Sequence, residues 1–385
     1  MNKKESWLML SSHFTPSVKA GGPVQSVRAM LSQAPSHVHV TLLTGDHDLG
    51  GPTFEHLSGK RIPVSTNAEV FYLRSGPRVF LLDLWRGMTS REFDVIYING
   101  LWAPRMALFP ALLITLTRTM WKIIIFAPRG ELDPGAYALG KTRLKRIATK
   151  VYRRLAKKSN VYFHVTSQLE AKNTKTILGQ TTKAILASTY SAPDSVKPER
   201  AREHNLDSVF ISRISPKKGL LQAIKSLANV QGDISLHIYG PIEDQNYWDK
   251  CISAIDTLKL GKTVVYKGEL KNEDVIPTLS KYSVLVLPTK GENFGHIIAE
   301  ALSVGTVPIV TETTPWTDLL QRNQVPTISG FSDFDVAEAL EKWFRFSEES
   351  KAVISENLQE DFYRWVKVQE VSTIYQIALS NKHSG

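Results

Sequence analysis

Ten short apolar runs divide the 385-residue chain at regular intervals, and this rhythm limits the folds open to it. In the first half they span 6–11 (SWLMLS), 39–45 (HVTLLTG), 94–100 (DVIYING), 122–128 (KIIIFAP) and 161–167 (VYFHVTS). In the second half they span 208–214 (SVFISRI), 235–240 (SLHIYG), 263–268 (TVVYKG), 283–288 (SVLVLP) and 306–310 (TVPIV). Each is too short for a core helix and apolar on both faces, as a strand buried inside a parallel sheet must be. Helical patterns separate them, so each half reads as a doubly wound α/β sheet of Rossmann type.

Between the halves, 188–205 (STYSAPDSVKPERAREHN) is rich in Ser, Pro and charge and has no periodicity. The domains are accordingly read as 1–190, a linker at 191–205, and 206–360. A last helical pattern, 358–379, has no strand after it. Residues 361–385 are read as a C-terminal helix crossing back to the first domain.

The length suits two domains. A hydrophobic share of 42% and a charged share of 22% are those of an ordinary globular chain. The single cysteine, Cys251, excludes an intrachain disulfide framework and reads as a small buried thiol. Only Trp7 to Leu10 are apolar near the start, too few for a secretory core. The longest apolar run, Met106 to Thr117, contains Pro110 and falls short of the ~20 residues a spanning helix needs. A cytoplasmic protein without a membrane span is expected.

In "PTKGENFGHIIAEALSVGTVPIV" a strand ends at Pro288, a loop runs to Phe294, and a helix is expected from about Gly295 to a C-cap at Gly305. Ligands of parallel sheets bind beyond the carboxyl ends of the strands, which is where Glu292 falls. The helix start at Phe294, Gly295 and His296 suits a phosphate. Glu300 sits in an apolar helix, where a carboxylate needs donors. On the residues alone, a ribose diol and an internal Arg or Lys are both open partners. In "VFISRISPKKGLLQAIKSL", Arg213 leaves a strand and Lys218 precedes Gly219 and a helix, with no acid from Phe210 to Val230. Two cations there suit a diphosphate.

The first half has a comparable set of strand ends. Gly21 and Gly22 allow close backbone approach after the first strand, and Pro23 fits a helix start. Asn99, Trp102, Arg129 and Glu131 follow two further strands, where contact with a sugar or an acceptor and a role as satisfied loop residues are both open.

Taken together, these stretches resemble the retaining glycosyltransferases of family four (glycosyl transferases group 1), whose hallmark is two glutamates separated by seven residues. Here they are Glu292 and Glu300 in ENFGHIIAEAL, beside SRISPKKG, KAGGPVQSV, APRGELDPGA, HVTSQLEA and TPWTDLL. The resemblance implies two Rossmann-like domains facing across a cleft (the GT-B fold). It also implies transfer of a sugar from a nucleotide diphosphate sugar, UDP- or GDP-hexose, to a glycan. Arg213 and Lys218 would neutralise the diphosphate, Glu292 would sit at the donor sugar, and Glu300 would hold the ribose. The Phe294 and Gly295 amides would contact the leaving phosphate or sugar, and Gly21 and Gly22 the diphosphate. Asn99 and Arg129 would line the substrate crevice. No metal and no cofactor beyond the nucleotide sugar is expected. Asn99 stands where many relatives have a histidine, and ILASTYSAP replaces a usual Asn-Gly.

Residues 1–200 hold 28 Lys and Arg against 13 Asp and Glu. Residues 141–158 carry nine of those cations and no acid, with Leu144, Ile147, Val151 and Leu155 on one stripe. The stripe is expected to pack on the sheet while the cations dock on anionic lipid heads. That fits a lipid-linked acceptor of surface-polysaccharide or lipopolysaccharide assembly and a peripheral location at the inner membrane face. A non-catalytic glycan- or nucleic-acid-binding protein is the alternative. The basic segment has little aromatic interleaving and the second half is acidic, which disfavours nucleic acid.

Overall fold

A computed structural model describes residues 4–17, 21–89, 92–116, 121–134, 137, 142–190, 206–258, 261–370 and 374–376. The linker read at 191–205 lies outside the described residues. Contacts divide the chain into two compact units, Met1–Ser191 with Gln369–Gly385, and Ala192–Val368.

The first unit is built on an eight-stranded sheet. Its strands are β1 (Glu5–Ser11), β2 (Val38–Gly45), β3 (Arg61–Ser65), β4 (Ala68–Leu73), β5 (Val95–Asn99), β6 (Ile123–Ala127), β7 (Val161–Val165) and β8 (Ala184–Leu186). They lie in the order β3-β4-β2-β1-β5-β6-β7-β8. All neighbours are parallel except β3 and β4. Both faces are covered, which is why β6 is apolar throughout, β5 is apolar as far as Ile98, and both are wholly buried. One face packs Leu8, Leu84, Ile98, Phe126 and Tyr152 together. The other packs Trp7, Met30, Tyr97, Ile125 and Tyr375.

The second unit has five parallel strands: β9 (Leu206–Ile211), β10 (Ile234–Tyr239), β11 (Lys262–Tyr266), β12 (Val284–Leu287) and β13 (Val307–Val310). Their order is β11-β10-β9-β12-β13. Each of the ten apolar runs forms a strand. The strand order reverses beside β1 in one unit and beside β9 in the other, so crevices open at β1/β5 and at β9/β12.

Two expectations are corrected. The final helix begins at Glu348, ten residues before the expected start, and is described as far as Glu370; residues 374–376 are again helical, with Ile374 and Tyr375 buried in the first unit. There Tyr375 packs on Trp7 with ring centres 4.7 Å apart and donates to the Met30 carbonyl at 2.8 Å. In the basic helix, Thr142–Leu155, the buried stripe is not the one expected. Leu155 is buried, but Leu144 and Ile147 are 57% and 62% exposed. Ala148, Tyr152 and Ala156 face the core instead, and the Tyr152 hydroxyl donates to the Leu101 carbonyl at 2.7 Å. A buried tyrosine with a satisfied hydroxyl contributes more apolar area than an aliphatic side chain, and it sets the rotation of the helix. Lys141 lies outside the described residues.

Candidate active site

In the second unit, the loops after β9 and β12 meet at the reversal of strand order. Gly219 allows this: it has φ +74°, and a Cβ there would stand 2.0 Å from the Pro288 carbonyl oxygen. Lys290 N–H donates to the Lys217 carbonyl at 2.9 Å, sewing the loops together. Lys218 and Glu292 are thereby paired at 2.5 Å, each side chain only 12% exposed. Burial works against ionisation of Glu292, but Lys218 and Lys217 hold its carboxyl below the ordinary range. Arg213 is elsewhere, in a half-exposed pair with Glu243 at 2.9 Å. The two cations with no acid near them in sequence each have one in space.

Gly295, at φ +78°, starts the helix His296–Ser303, close to the expected boundary. Phe294 is buried, and its carbonyl accepts from the Trp316 indole at 2.6 Å. Trp316 belongs to TPWTDLL and packs edge-on against Trp365 with ring centres 4.9 Å apart, so the motif braces the loop from behind. Glu300 lies in the same helix. Among the described residues its carboxylate has no hydrogen-bond or ion-pair partner, and burial pushes its pKa up to about 8. The internal Arg or Lys that would have made Glu300 a purely structural residue is not found among them.

In the first unit, Gly21 takes φ +60° just before the helix Gly22–Ser32, with open space where a Cβ would be. Asn99 ends β5, and its Oδ1 accepts from Nε of Arg129 at 2.8 Å. Arg129 itself has φ +54°, and its Nη2 donates to the Tyr97 hydroxyl at 2.6 Å. Tyr97 in turn donates to Nδ1 of His164 at 2.8 Å, and His164 Nε2–H donates to the Ala187 carbonyl at 3.0 Å. Burial, with the Arg129 charge adding to it, lowers the His164 pKa to about 3 and keeps it neutral in this tautomer.

Two carboxylates shape these turns. Glu131 accepts from the Leu101 and Trp102 amides at 2.5 and 3.3 Å, and burial raises its pKa to about 7. Glu170 accepts from the Gly130 amide at 2.7 Å and the Thr166 amide at 2.8 Å. Glu170 was not singled out from the sequence. Its signal was HVTSQLEA, where Ser167 caps the helix at the Glu170 amide and Glu170 reaches back to the β6 turn.

Residues 192–360 match the family described as "Glycosyl transferases group 1". The second unit is a group 1 glycosyltransferase domain. No curated protein sequence gives a significant match. Among solved structures, HepE from Anabaena in complex with UDP-glucose is 16% identical, with a TM-score of 0.74 over 98% of each chain. Sucrose-phosphate synthase from Thermosynechococcus elongatus is also 16% identical, with a TM-score of 0.72 over 98% of this chain and 97% of the other. WaaG, a glycosyltransferase involved in lipopolysaccharide biosynthesis, is 12% identical, with a TM-score of 0.67 over 96% of this chain and 100% of its own. The fold is thus the GT-B fold with its two Rossmann-like domains, and the group 1 domain includes every site residue named after β9. No helix among the described residues is long and apolar enough to cross a membrane.

Proposed function

We propose that the protein moves a hexosyl group from UDP- or GDP-hexose to a growing, lipid-linked surface glycan, with retention at the anomeric carbon. The observation that carries this is the Glu300 carboxylate, half-buried in the group 1 domain without a partner among the described residues. A ribose diol brings two O–H donors to its two oxygens, which is what a desolvated carboxylate lacks. Lys218 and Arg213, with the helix start at Phe294 and Gly295, take the diphosphate charge and stabilise its departure. In this reading the bound diphosphate draws Lys218 away from Glu292 and turns that carboxylate toward the sugar. No cofactor beyond the nucleotide sugar is involved. The HepE complex with UDP-glucose supports a donor of this kind, and the role of WaaG in lipopolysaccharide biosynthesis supports a surface glycan.

Docking on the inner membrane face belongs to the same reading. Arg146, Lys150, Arg154 and Lys157 are exposed around Leu144 and Ile147. Each well-placed cation contributes about 1 kcal/mol toward an anionic bilayer, and the two apolar side chains enter it. Lys158 and Arg153 are less available, since they donate to the Ile114 and Ile177 carbonyls at 2.9 and 2.7 Å.

A panel of UDP- and GDP-hexoses followed by thermal shift and turnover tests the proposal. One nucleotide class is expected to raise the melting temperature of the wild type and not that of Glu300→Ala. No shift with any member, or an equal shift in the variant, would sink it. The anomeric configuration of the product, read by NMR, tests retention.

A further inference from the structure

Arg129 is a strand-end cation of the first unit whose hydrogen bonding can be followed atom by atom. Its Nε donates to Asn99 and its Nη2 to Tyr97, with the Met30 sulfur 3.7 Å from Nη2. All three partners are neutral. Nη1 is buried and has no protein partner among the described residues. The Glu170 carboxylate, which reaches the same turn, is committed to the Gly130 amide and to the amide and hydroxyl of Thr166. A permanently charged guanidinium therefore stands half-buried at the carboxyl end of β6, with the two N–H donors of its buried Nη1 unused and no carboxylate bonded to it among the described residues.

The surroundings hold it there rigidly. Tyr97 is fixed from behind by neutral His164, and Asn99 Nδ2 leans on the Ser11 hydroxyl at 3.4 Å, at the end of β1. Asn99 and Ser11 end the two strands at which the order of the sheet reverses, with β6 next to β5. A fork placed this way at a strand-end crevice matches an oxyanion. A purely bracing arginine would be expected to use both ends of its fork or to pair with an acid.

We propose that Nη1 of Arg129 binds an oxyanion of the acceptor, so that the acceptor is a negatively charged sugar or sugar phosphate and not a neutral one. The inference rests on the glycosyltransferase reading for the word acceptor, but the subsite itself stands on the first unit alone.

The test is a titration of the full-length protein, with UDP present at saturation to occupy the second unit. Glucuronate, glucose 6-phosphate and glucose are the probes, followed by calorimetry and thermal shift. At least one anionic probe binds and glucose does not; which of the two binds separates a carboxylate from a phosphate source. Arg129→Gln weakens that probe roughly ten- to hundred-fold, the loss of one charge-assisted contact, while UDP affinity stays unchanged. Because Arg129→Gln also removes two braces, Asn99→Asp is the second variant. It sets a carboxylate against Nε, neutralises the fork and loses the anion while the protein stays folded.

Equal binding of glucose and the anionic probes, or an anion response unchanged in both variants, overturns the subsite. So does a wild type that responds to no anionic probe. If UDP gives no stabilisation while an anionic probe still binds through Arg129, the donor reading fails and the subsite stands.

Discussion

A carboxyl group held near pKa 8 by burial alone is mostly protonated at neutral pH, which gives Glu300 two measurable signatures. The folded protein binds that proton more tightly than the unfolded chain, whose value is 4.5. Its contribution to stability is therefore complete below 4.5 and is lost as the pH rises through about 8. The ligand-free wild type should lose melting temperature across that window relative to Glu300→Gln. A nucleotide that needs the ionised form must displace the proton, so its affinity should rise up to about tenfold per pH unit toward the folded pKa. Calorimetric titration of UDP over roughly pH 6 to 9 measures this, and a flat profile would contradict a ribose role for Glu300.

Lys218 and Glu292 behave differently, because each is the other's counter-charge. Removing one leaves a buried, unpaired ion at about 3–5 kcal/mol. Lys218→Ala and Glu292→Ala should each lower stability and abolish transfer. The double variant should recover part of the stability and none of the turnover, as read by denaturant unfolding beside an activity assay. The position of each residue beyond a strand end was legible in the sequence. Their pairing was not, since 74 positions separate them, and neither was Arg213–Glu243, 30 positions apart. Nothing local in a sequence encodes such distances.

At the level of elements, unbroken apolar runs made ten strands readable; most are inner strands with covered faces, while β11, at the edge of its sheet, has no buried residue and was read from its run of Val264, Val265 and Tyr266. β3, β4 and β8 lack that signature: β4 alternates buried and half-buried side chains, β3 is mostly exposed and contains Pro63, and β8 has three residues. Pro63 belongs where it is, since β3 forms the edge of the sheet and a proline amide is not missed there. The basic helix was read at the right place and turned by about one residue, roughly 100°. Ranking side chains by hydropathy put Ile147 ahead of Tyr152, and packing reversed that order. The junction of the β9 and β12 loops gives the sharpest test at this scale. Gly219→Ala adds a methyl group against the Pro288 carbonyl at a left-handed backbone position. A loss of at least about 2 kcal/mol is expected in denaturant unfolding. A cost within about 0.5 kcal/mol would mean that the two loops can separate freely.

For the whole molecule, the contrast between a basic first half and an acidic second half was plain from the sequence, and only the structure shows which apolar groups accompany the charge. If the exposed face of Thr142–Leu155 meets lipid, Leu144→Glu with Ile147→Glu should sharply reduce sedimentation with anionic vesicles. The melting temperature should stay within about 2 °C, because neither side chain supports the core. Unchanged sedimentation would assign the face to solvent alone.

The return of the chain to its first unit bears on how the protein is made. Tyr375 fills a place between Trp7 and Met30, two residues made long before it. At about 5–20 residues per second, the 184 residues from Ser191 to Tyr375 take roughly ten to forty seconds to appear. Throughout that interval the nascent first unit carries an unfilled slot in its core. A nascent chain in that state is a substrate for chaperones, and a ribosome stalled after residue 191 would release a unit unable to close.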